Sequence, residues 1–393
     1  MKRRDFLGAG AAGASLFALD LAPALAQNAP QNANAVNRPF AAPKRSPLYT
    51  DGKWQTPARA IRGVNLGGWL VLEKWMSPTL FAGTEAGDEY SLAQIPGGRE
   101  RIELHRQNWI TEADFRWIAE YGLDAVRIPV GFWTLNEAKP YLGGAEHLQN
   151  AFDWARKYDL KVLLDLHAAQ GSQNGWDHSG RAGEIGWTKP ENRAASLQTL
   201  SDLADKYGAH PNLWGLELLN EPRYDTSLDI LREWYQSAYQ VLRPKLPAPV
   251  AFVVHDGFRA GGWQGFAPAP DYSNVVLDTH MYQTFSEGDR KRTPLEQVQF
   301  ALGRGQEIER LKSGPWLIVG EWSLALPWNE MQAKTKTPLD RDATRLAYAG
   351  AQLLAFETAH GWFYWSYKTE TGGEWSLRDC VKQGWMPTSM ALA

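Results

Sequence analysis

The chain has 393 residues, 44% of them hydrophobic and 22% charged, an ordinary soluble composition long enough for one large domain or two small ones. Its formal net charge of −3 offers no electrostatic footprint for DNA, RNA or an anionic membrane surface. A single cysteine, Cys380, excludes an intramolecular disulfide, and 19 tryptophans are a heavy load whose indole faces suit either a core or the stacking of sugar rings.

At the N-terminus, Lys2-Arg3-Arg4-Asp5-Phe6-Leu7 precedes a short run of Gly, Ala and Leu that closes on the small-residue site Ala24-Leu25-Ala26. This layout predicts a signal peptide over residues 1–26. The paired arginines before Phe-Leu resemble a twin-arginine signal, which points to a bacterial protein exported folded to the periplasm or secreted. Asp20 interrupts the apolar region and what remains is too short to span a bilayer, so no stable membrane anchor is expected. Residues 27–48, rich in Asn, Ala, Pro and Gln without an apolar period, read as a flexible linker to a single domain over 49–393.

From about Ile61 short apolar runs alternate with amphipathic segments. The predicted strands are Ile61–Asn65, Ala125–Val130, Lys161–His167, Leu213–Asn220, Val250–His255, Val275–Tyr282, Trp316–Trp322 and Trp362–Tyr367. Between most of them lie helical patterns over Glu112–Tyr121, Ala145–Tyr158, Asn192–Tyr207, Leu228–Leu242, Leu295–Leu311 and Arg341–Thr358. Eight strands alternating with helices fit the α/β class as a (β/α)8 TIM barrel. A doubly wound open sheet is the rival, but no Gly-rich dinucleotide loop follows the first strand.

In such a barrel the residues at the C-terminal ends of the strands face one pocket. Here these are Arg127 with Pro129, His167, Asn220 with Glu221, His255 with Asp256, His280 with Tyr282, Glu321 with Trp322, and Trp365. Leu213 to Glu221 runs apolar and then turns at Asn220-Glu221-Pro222, and Trp316 to Glu321 repeats the design, each delivering one glutamate. Two glutamates at strand ends are what glycoside hydrolysis asks for, one to protonate the leaving oxygen and one to attack or to activate water. Arg127 suits the task of hydrogen-bonding the carboxylate nucleophile and keeping it ionised, or else a purely structural salt bridge. The Asn220 amide can hold a sugar hydroxyl or a neighbouring carboxylate. His167 and His280 read as hydroxyl binders or orienting groups, since no HExxH helix or Cys/His cluster accompanies them, and Tyr282 can orient Glu321. Glu321 lies between Gly320 and Trp322, where little bulk is expected to block approach to an anomeric carbon.

These residues carry a family resemblance. Arg62-Gly-Val-Asn-Leu-Gly-Gly-Trp-Leu-Val-Leu-Glu73-Lys-Trp resembles the opening motif of the exo-β-1,3-glucanases in family 5 of the glycoside hydrolases. The likeness continues through Val126-Arg-Ile-Pro129, Asp165-Leu-His167, Gly171-Ser-Gln-Asn-Gly-Trp-Asp177, Glu217-Leu-Leu-Asn-Glu-Pro222, His280-Met-Tyr-Gln283, Gly320-Glu-Trp-Ser323 and Trp365-Ser-Tyr-Lys-Thr-Glu370. It implies Glu221 as general acid/base and Glu321 as nucleophile of a retaining double displacement. It further implies Arg127, His167, Asn220, His280 and Tyr282 around the sugar at the cleavage point, with Trp365 as its stacking floor. Glu73 and Asp177 would bind hydroxyls of the non-reducing terminal glucose. A pair of phenylalanines clamps the next sugar in this branch, and Trp176 and Phe285 occupy those positions here, the tryptophan widening the stacking face. Fungal members carry disulfides that Cys380 alone cannot make. The segments Thr84 to Gly98 and Trp328 to Pro338 are read as loops that decide chain-end versus internal attack.

The leading expectation is a periplasmic or secreted retaining β-glucanase acting on β-1,3-glucan, releasing glucose from non-reducing ends. Preference for β-1,6 or β-1,4 links, or glycosyl transfer to another sugar, uses the same chemistry. A non-catalytic carbohydrate-binding protein on the same scaffold and an exported redox enzyme are alternatives of other classes; both glutamates with Arg127 argue against the first, and the lack of a phosphate-binding Gly loop, metal cluster or haem motif against the second. No metal or organic cofactor is expected, because two carboxylates carry the proton and nucleophile work.

Overall fold

The computed structural model describes residues 59–268, 271–312, 315–331 and 337–391, together with a small antiparallel hairpin in which Tyr49–Thr50 pairs with Lys53–Trp54. The expected signal peptide and linker lie outside the described residues.

Eight parallel strands close into a barrel: β1 (Ile61–Asn65), β2 (Ala125–Gly131), β3 (Lys161–Ala168), β4 (Leu213–Glu217), β5 (Ala251–His255), β6 (Val275–His280), β7 (Trp316–Trp322) and β8 (Gly361–Tyr364). Each pairs with its neighbour in sequence, and β8 pairs with β1 from Gly361↔Ile61 to Tyr364↔Val64, which leaves no edge strand. Branched and aromatic apolar residues on both faces make these runs stable only with cover on the outside and filling on the inside. The outside cover comes from α1 (Glu89–Leu92), α2 (Gly98–Trp109), α3 (Glu112–Tyr121), α4 (Ala145–Lys157), α5 (Pro190–Tyr207), α6 (Leu228–Leu242), α7 (Glu287–Lys291), α8 (Pro294–Leu311), α9 (Trp328–Met331), α10 (Pro338–Phe356) and α11 (Leu377–Lys382), of which the longer ones between strands pack on the sheet.

Several expected boundaries move. Three strands end short of their predicted limits: β4 stops at Glu217 instead of Asn220, β6 at His280 instead of Tyr282 and β8 at Tyr364 instead of Tyr367. Beyond β4 the chain still touches both neighbours, through Leu218 N to Val253 O and Asn220 N to Leu166 O, but it turns out of the ladder before Glu221 at φ 40°. Helix α2 was not expected, because its twelve residues are mostly polar and only Gly98, Ile102 and Arg106 are buried, too few to write an apolar period. The segment Thr84 to Gly98, expected as a loop, contains α1, and with α2 it buries Leu72, Phe81, Ala86, Leu92, Ala93 and Ile102 together as a satellite core. The expected loop after Trp328 begins with α9.

The barrel interior changes character along its axis. Toward the N-terminal end it holds Ile61, Ala125, Leu163, Trp214, Val253, Val276, Ile318 and Phe363, an apolar plug. Toward the C-terminal end the inward positions become Asn65, Arg127, Asp165, Glu217, His255 and Asp278, all fully buried. Burying that many charges demands mutual pairing, so the polar layer is built as one network beneath the pocket.

Candidate active site

Glu221 follows β4 and Glu321 is the next-to-last residue of β7; both are 1% exposed. A carboxylate oxygen from each and an imidazole nitrogen of His280 all lie within 4.8 Å of one another. His280, the last residue of β6, places Nδ1 2.8 Å from Glu221 Oε1 and 3.5 Å from Glu321 Oε2, while its Nε2 lies 3.6 Å from Asp278 Oδ2. Burial alone would lower this imidazole, but the carboxylates of Glu321 and Asp278 outweigh it and hold the ring well above its ordinary value. The ring thus stands between the two glutamates, drawn toward its cationic form by the acids around it.

The two carboxylates differ in their donors. Glu321 Oε1 accepts from Arg127 Nη1 at 3.2 Å and Oε2 from the Tyr282 hydroxyl at 2.7 Å. Glu221 faces imidazoles, His280 at Oε1 and His178 Nε2 at 3.5 Å from Oε2, while the Asn174 amide holds its backbone carbonyl at 3.0 Å. Replacing Tyr282 by Phe removes a hydrogen bond to a charged group, of about 1.5–3 kcal/mol, and leaves the ring in place. If the loss falls on the step in which Glu321 reacts, kcat drops by about 10- to 100-fold with little change in KM, a split that steady-state kinetics reads directly.

Arg127 is the centre of the buried layer. It makes paired contacts with Glu217 at 2.7 and 3.1 Å, meets Asp165 Oδ2 at 3.1 Å, and donates to the side-chain oxygens of Asn65 at 3.0 Å and Asn220 at 2.9 Å. Burial would lower its pKa, yet Asp165 and Glu217 hold it well above the ordinary value. Burial pushes the Asp165 carboxyl up to about 8 against the pull of Arg127. Asp278 is the exception: burial would raise it, but His280 and Arg127 bring it below the ordinary carboxylate value. Arg127 thus pairs with the acids of the buried layer and also reaches Glu321.

His167 ends up neutral, since burial, reinforced by the charge of Arg127, drives it down to about 3. Its Nδ1 lies 2.7 Å from Asp165 Oδ2 and its Nε2 3.4 Å from Asn220 Nδ2, a network that puts the proton on Nδ1 and leaves Nε2 to accept. Asn220 is thus committed to Arg127 and His167, and holds no neighbouring carboxylate in these contacts. The indole of Trp365 lies parallel to His167, 6° from coplanar with centroids 5.5 Å apart.

Around the rim, Trp176 stands edge-on to Phe258 at 6.3 Å and beside His178 at 5.3 Å, with Asp177 opening the short turn that follows. Phe285 packs on Tyr282 and Trp375, and Trp375 on Trp75, whose Nε1 donates to Glu73 Oε2 at 2.8 Å. A continuous set of contacts therefore runs from Glu73 through Trp75, Trp375 and Tyr282 to Glu321.

One expectation is corrected. The missing side chain of Gly320 does not clear a path to Glu321: a Cβ there would fall 1.9 Å from Asp278 Oδ2, and Gly320 N donates to Asp278 Oδ1 at 2.6 Å. Trp322 turns outward against Phe356, Trp362 and Tyr364. Gly320→Ala should cost about 1–3 kcal/mol as the carboxylate is forced aside, measurable as a lower urea midpoint at unchanged m.

Sequence reasoning missed Asp165, Glu217 and Asp278 as members of the site. Their signal was an acid inside an otherwise apolar strand, as in Val162-Leu-Leu-Asp165-Leu and Leu213-Trp-Gly-Leu-Glu217, which must point inward and find a cation. It also missed Asn65, His178, Phe258, Trp75 and Trp375. The carboxylates near His280 have the spacing of metal ligands, but both ring nitrogens already face carboxylates and Arg127 lies among the acids, so the cationic role is taken by side chains.

A family model described as cellulase, glycosyl hydrolase family 5, matches residues 85–370. The chain is 36% identical over 373 residues to a probable glucan 1,3-beta-glucosidase A of Emericella nidulans, an alignment covering 84% of this chain and 91% of that one. It is also 36% identical over 373 residues to a glucan 1,3-beta-glucosidase of Blumeria graminis, covering 83% and 86%. Among solved structures, a rutinosidase from Aspergillus niger superposes with a TM-score of 0.69 at 20% identity, covering 84% of this chain and 98% of that one. An endoglucanase from Thermotoga maritima gives 0.52 at 18%, covering 79% and 91%. At those identities the two structures speak for the barrel alone.

Proposed function

The chain belongs to glycosyl hydrolase family 5, and from that premise we propose that it is a retaining β-glucanase that cleaves β-1,3-glucan and releases glucose from non-reducing ends. Glu321 attacks the anomeric carbon as the glycosidic C–O bond breaks, and Glu221 gives its proton to the departing oxygen. In the second half Glu221 takes a proton from water, the water oxygen bonds to the anomeric carbon, and the Glu321 ester bond breaks. The observation that carries this reading is that one oxygen of Glu221 and one of Glu321 lie within 4.8 Å of each other, with His280 Nδ1 reaching both carboxylates at 2.8 and 3.5 Å. Retaining enzymes hold their carboxyls about 5–5.5 Å apart and inverting ones about 6.5–9.5 Å, to admit a water. The glucan 1,3-beta-glucosidase names of the relatives support the linkage.

Arg127 and Tyr282 hold Glu321 aimed through their hydrogen bonds, and His280 stands between the pair. His167 and Asn220 bind hydroxyls at the cleavage point, Trp365 supplies its floor, Glu73 and Asp177 grip the terminal glucose, and Trp176 with Phe285 flanks the next sugar. The test is the product pattern on laminarin, followed by chromatography with anomeric detection. β-Glucose alone from the first minutes is expected; α-glucose would overturn retention, and early oligosaccharides would overturn chain-end attack.

A second reading is favoured by the aromatic set Trp75, Trp375 and Phe285 beside Tyr282, which can stack an acceptor sugar. Glycosyl transfer would then yield longer oligosaccharides at high laminaribiose concentration. We also propose export by a twin-arginine signal in residues 1–26, with residues 27–48 as tether. Fusing residues 1–48 to a reporter active only after folded export, with Arg3 and Arg4 both changed to Lys, should abolish its signal. Among the described residues no helix is long and apolar enough to cross a membrane.

A further inference from the structure

Helix α1 is only four residues long, yet with the Asp88 that caps it it ties together two loops that come from different strands. Asp88 accepts Ser91 N at Oδ1 and, at Oδ2, the backbone N–H of Ala182, both at 2.8 Å. Glu89 turns the other way: its Oε2 accepts Leu72 N at 3.0 Å and its Oε1 accepts Arg106 Nη2 at 2.7 Å, with both side chains fully buried. Arg106 spends further donors on the carbonyls of Leu70, Leu142 and Gly143. Tyr90 N donates to Gly180 O at 3.0 Å, and the guanidinium of Arg181 lies 4.2 Å above the Tyr90 ring.

The places tied are not arbitrary. Leu72 immediately precedes Glu73, and Gly180 to Ala182 immediately follow the turn that begins at Asp177 and carries Trp176 just before it. One rigid corner thus sets the spacing between the two acids assigned above to a terminal glucose. Buried ionic contacts suit this use, because they hold a single geometry where apolar packing tolerates sliding.

We propose that Asp88, Glu89 and Tyr90 are positioning residues that lock the loop carrying Glu73 to the loop carrying Trp176 and Asp177, so that the pocket is closed behind one sugar and attack is confined to chain ends. This rests on the exo-β-1,3-glucanase reading. It makes the segment between β1 and α2 the determinant of exo specificity, although no residue of α1 is required to touch the substrate.

The experiment uses the full chain and two substrates, laminarin and laminarin oxidised with periodate. Internal β-1,3-linked glucoses lack adjacent hydroxyls, so periodate alters chain ends and spares the interior. Wild-type protein should act on the first and leave the second intact. Asp88→Ala should release oligosaccharides from the oxidised glucan and produce early oligosaccharides from laminarin. Ser91→Ala, which weakens the helix cap but keeps the bond to Ala182, should remain exo-acting. Because Asp88→Ala can also fail to fold, Arg181→Ala provides an exposed alternative; it should raise KM for laminari-oligosaccharides about tenfold while kcat stays within about threefold. If folded Asp88→Ala still ignores oxidised laminarin and Arg181→Ala keeps a wild-type KM, the positioning role is wrong while exo action stands. If wild type itself degrades oxidised laminarin, the exo reading fails and the proposal with it.

Discussion

Glu321→Ala and Glu221→Ala are each expected to lose about 10⁴-fold or more of kcat on laminarin, but to fail in opposite ways once azide is supplied. Without Glu321 there is no nucleophile on the face opposite the leaving group. Azide then attacks an activated aryl β-glucoside from that face and yields the α-glucosyl azide. Without Glu221 an activated leaving group still departs, since it needs no proton, and the glucosyl ester on Glu321 accumulates. Azide intercepts that ester from the face Glu221 vacated and yields the β-glucosyl azide. The donor pattern supports this order: Arg127 and Tyr282 converge on Glu321, and imidazoles face Glu221. Product anomers identified by NMR decide it, and a β-azide from the Glu321 variant would reverse the assignment.

The second large effect belongs to Arg127. Arg127→Ala leaves Glu217, Asp165 and Glu321 buried without the cation that all three meet within 3.2 Å, a loss of about 3–5 kcal/mol on the usual scale for breaking a buried pair. Arg127→Lys retains the charge but replaces a planar fork that reaches both asparagines and three carboxylates with a single ammonium, so most of the loss persists. The pH dependence has a definite sign. Asp165 is raised from 3.8 to about 8, so the folded state holds a proton that the unfolded chain releases, and stability falls as pH rises across that window. Deleting Arg127 removes the charge that opposes this shift. The deficit of Arg127→Ala relative to wild type should therefore stay level below about pH 8 and widen as pH rises beyond it, where Asp165 ionises beside Arg127 in wild type but stays protonated in the variant. Urea denaturation at several pH values measures it; a constant deficit would mean that Arg127 does not neutralise these acids.

The two strand-end glutamates proposed as the catalytic pair were legible because their signal is local. An apolar run that ends in Asn220-Glu221-Pro222, or in Gly320-Glu321, reads as a buried strand delivering an acid to the wet end of a barrel, whatever the neighbouring strands contain. The same local logic located Arg127, His167, His280 and Tyr282. Helix α2 was illegible because its buried face is carried largely by Arg106, whose partners Glu89, Leu142 and Gly143 lie well away from it in sequence.

By itself, then, the sequence determined the alternation of strands and helices, the two strand-end glutamates and the polar residues beside them, since periodicity and strand termination depend on neighbours along the chain. Only the tertiary structure decided which charge answers which. Arg127 of β2 meets Glu217 of β4 across the barrel, Gly320 of β7 is a glycine because Asp278 of β6 needs its space, and Asp88 and Glu89 reach loops of two other strands. Buried charges are stable only when paired, and barrel closure chooses the partners from residues far apart in the chain.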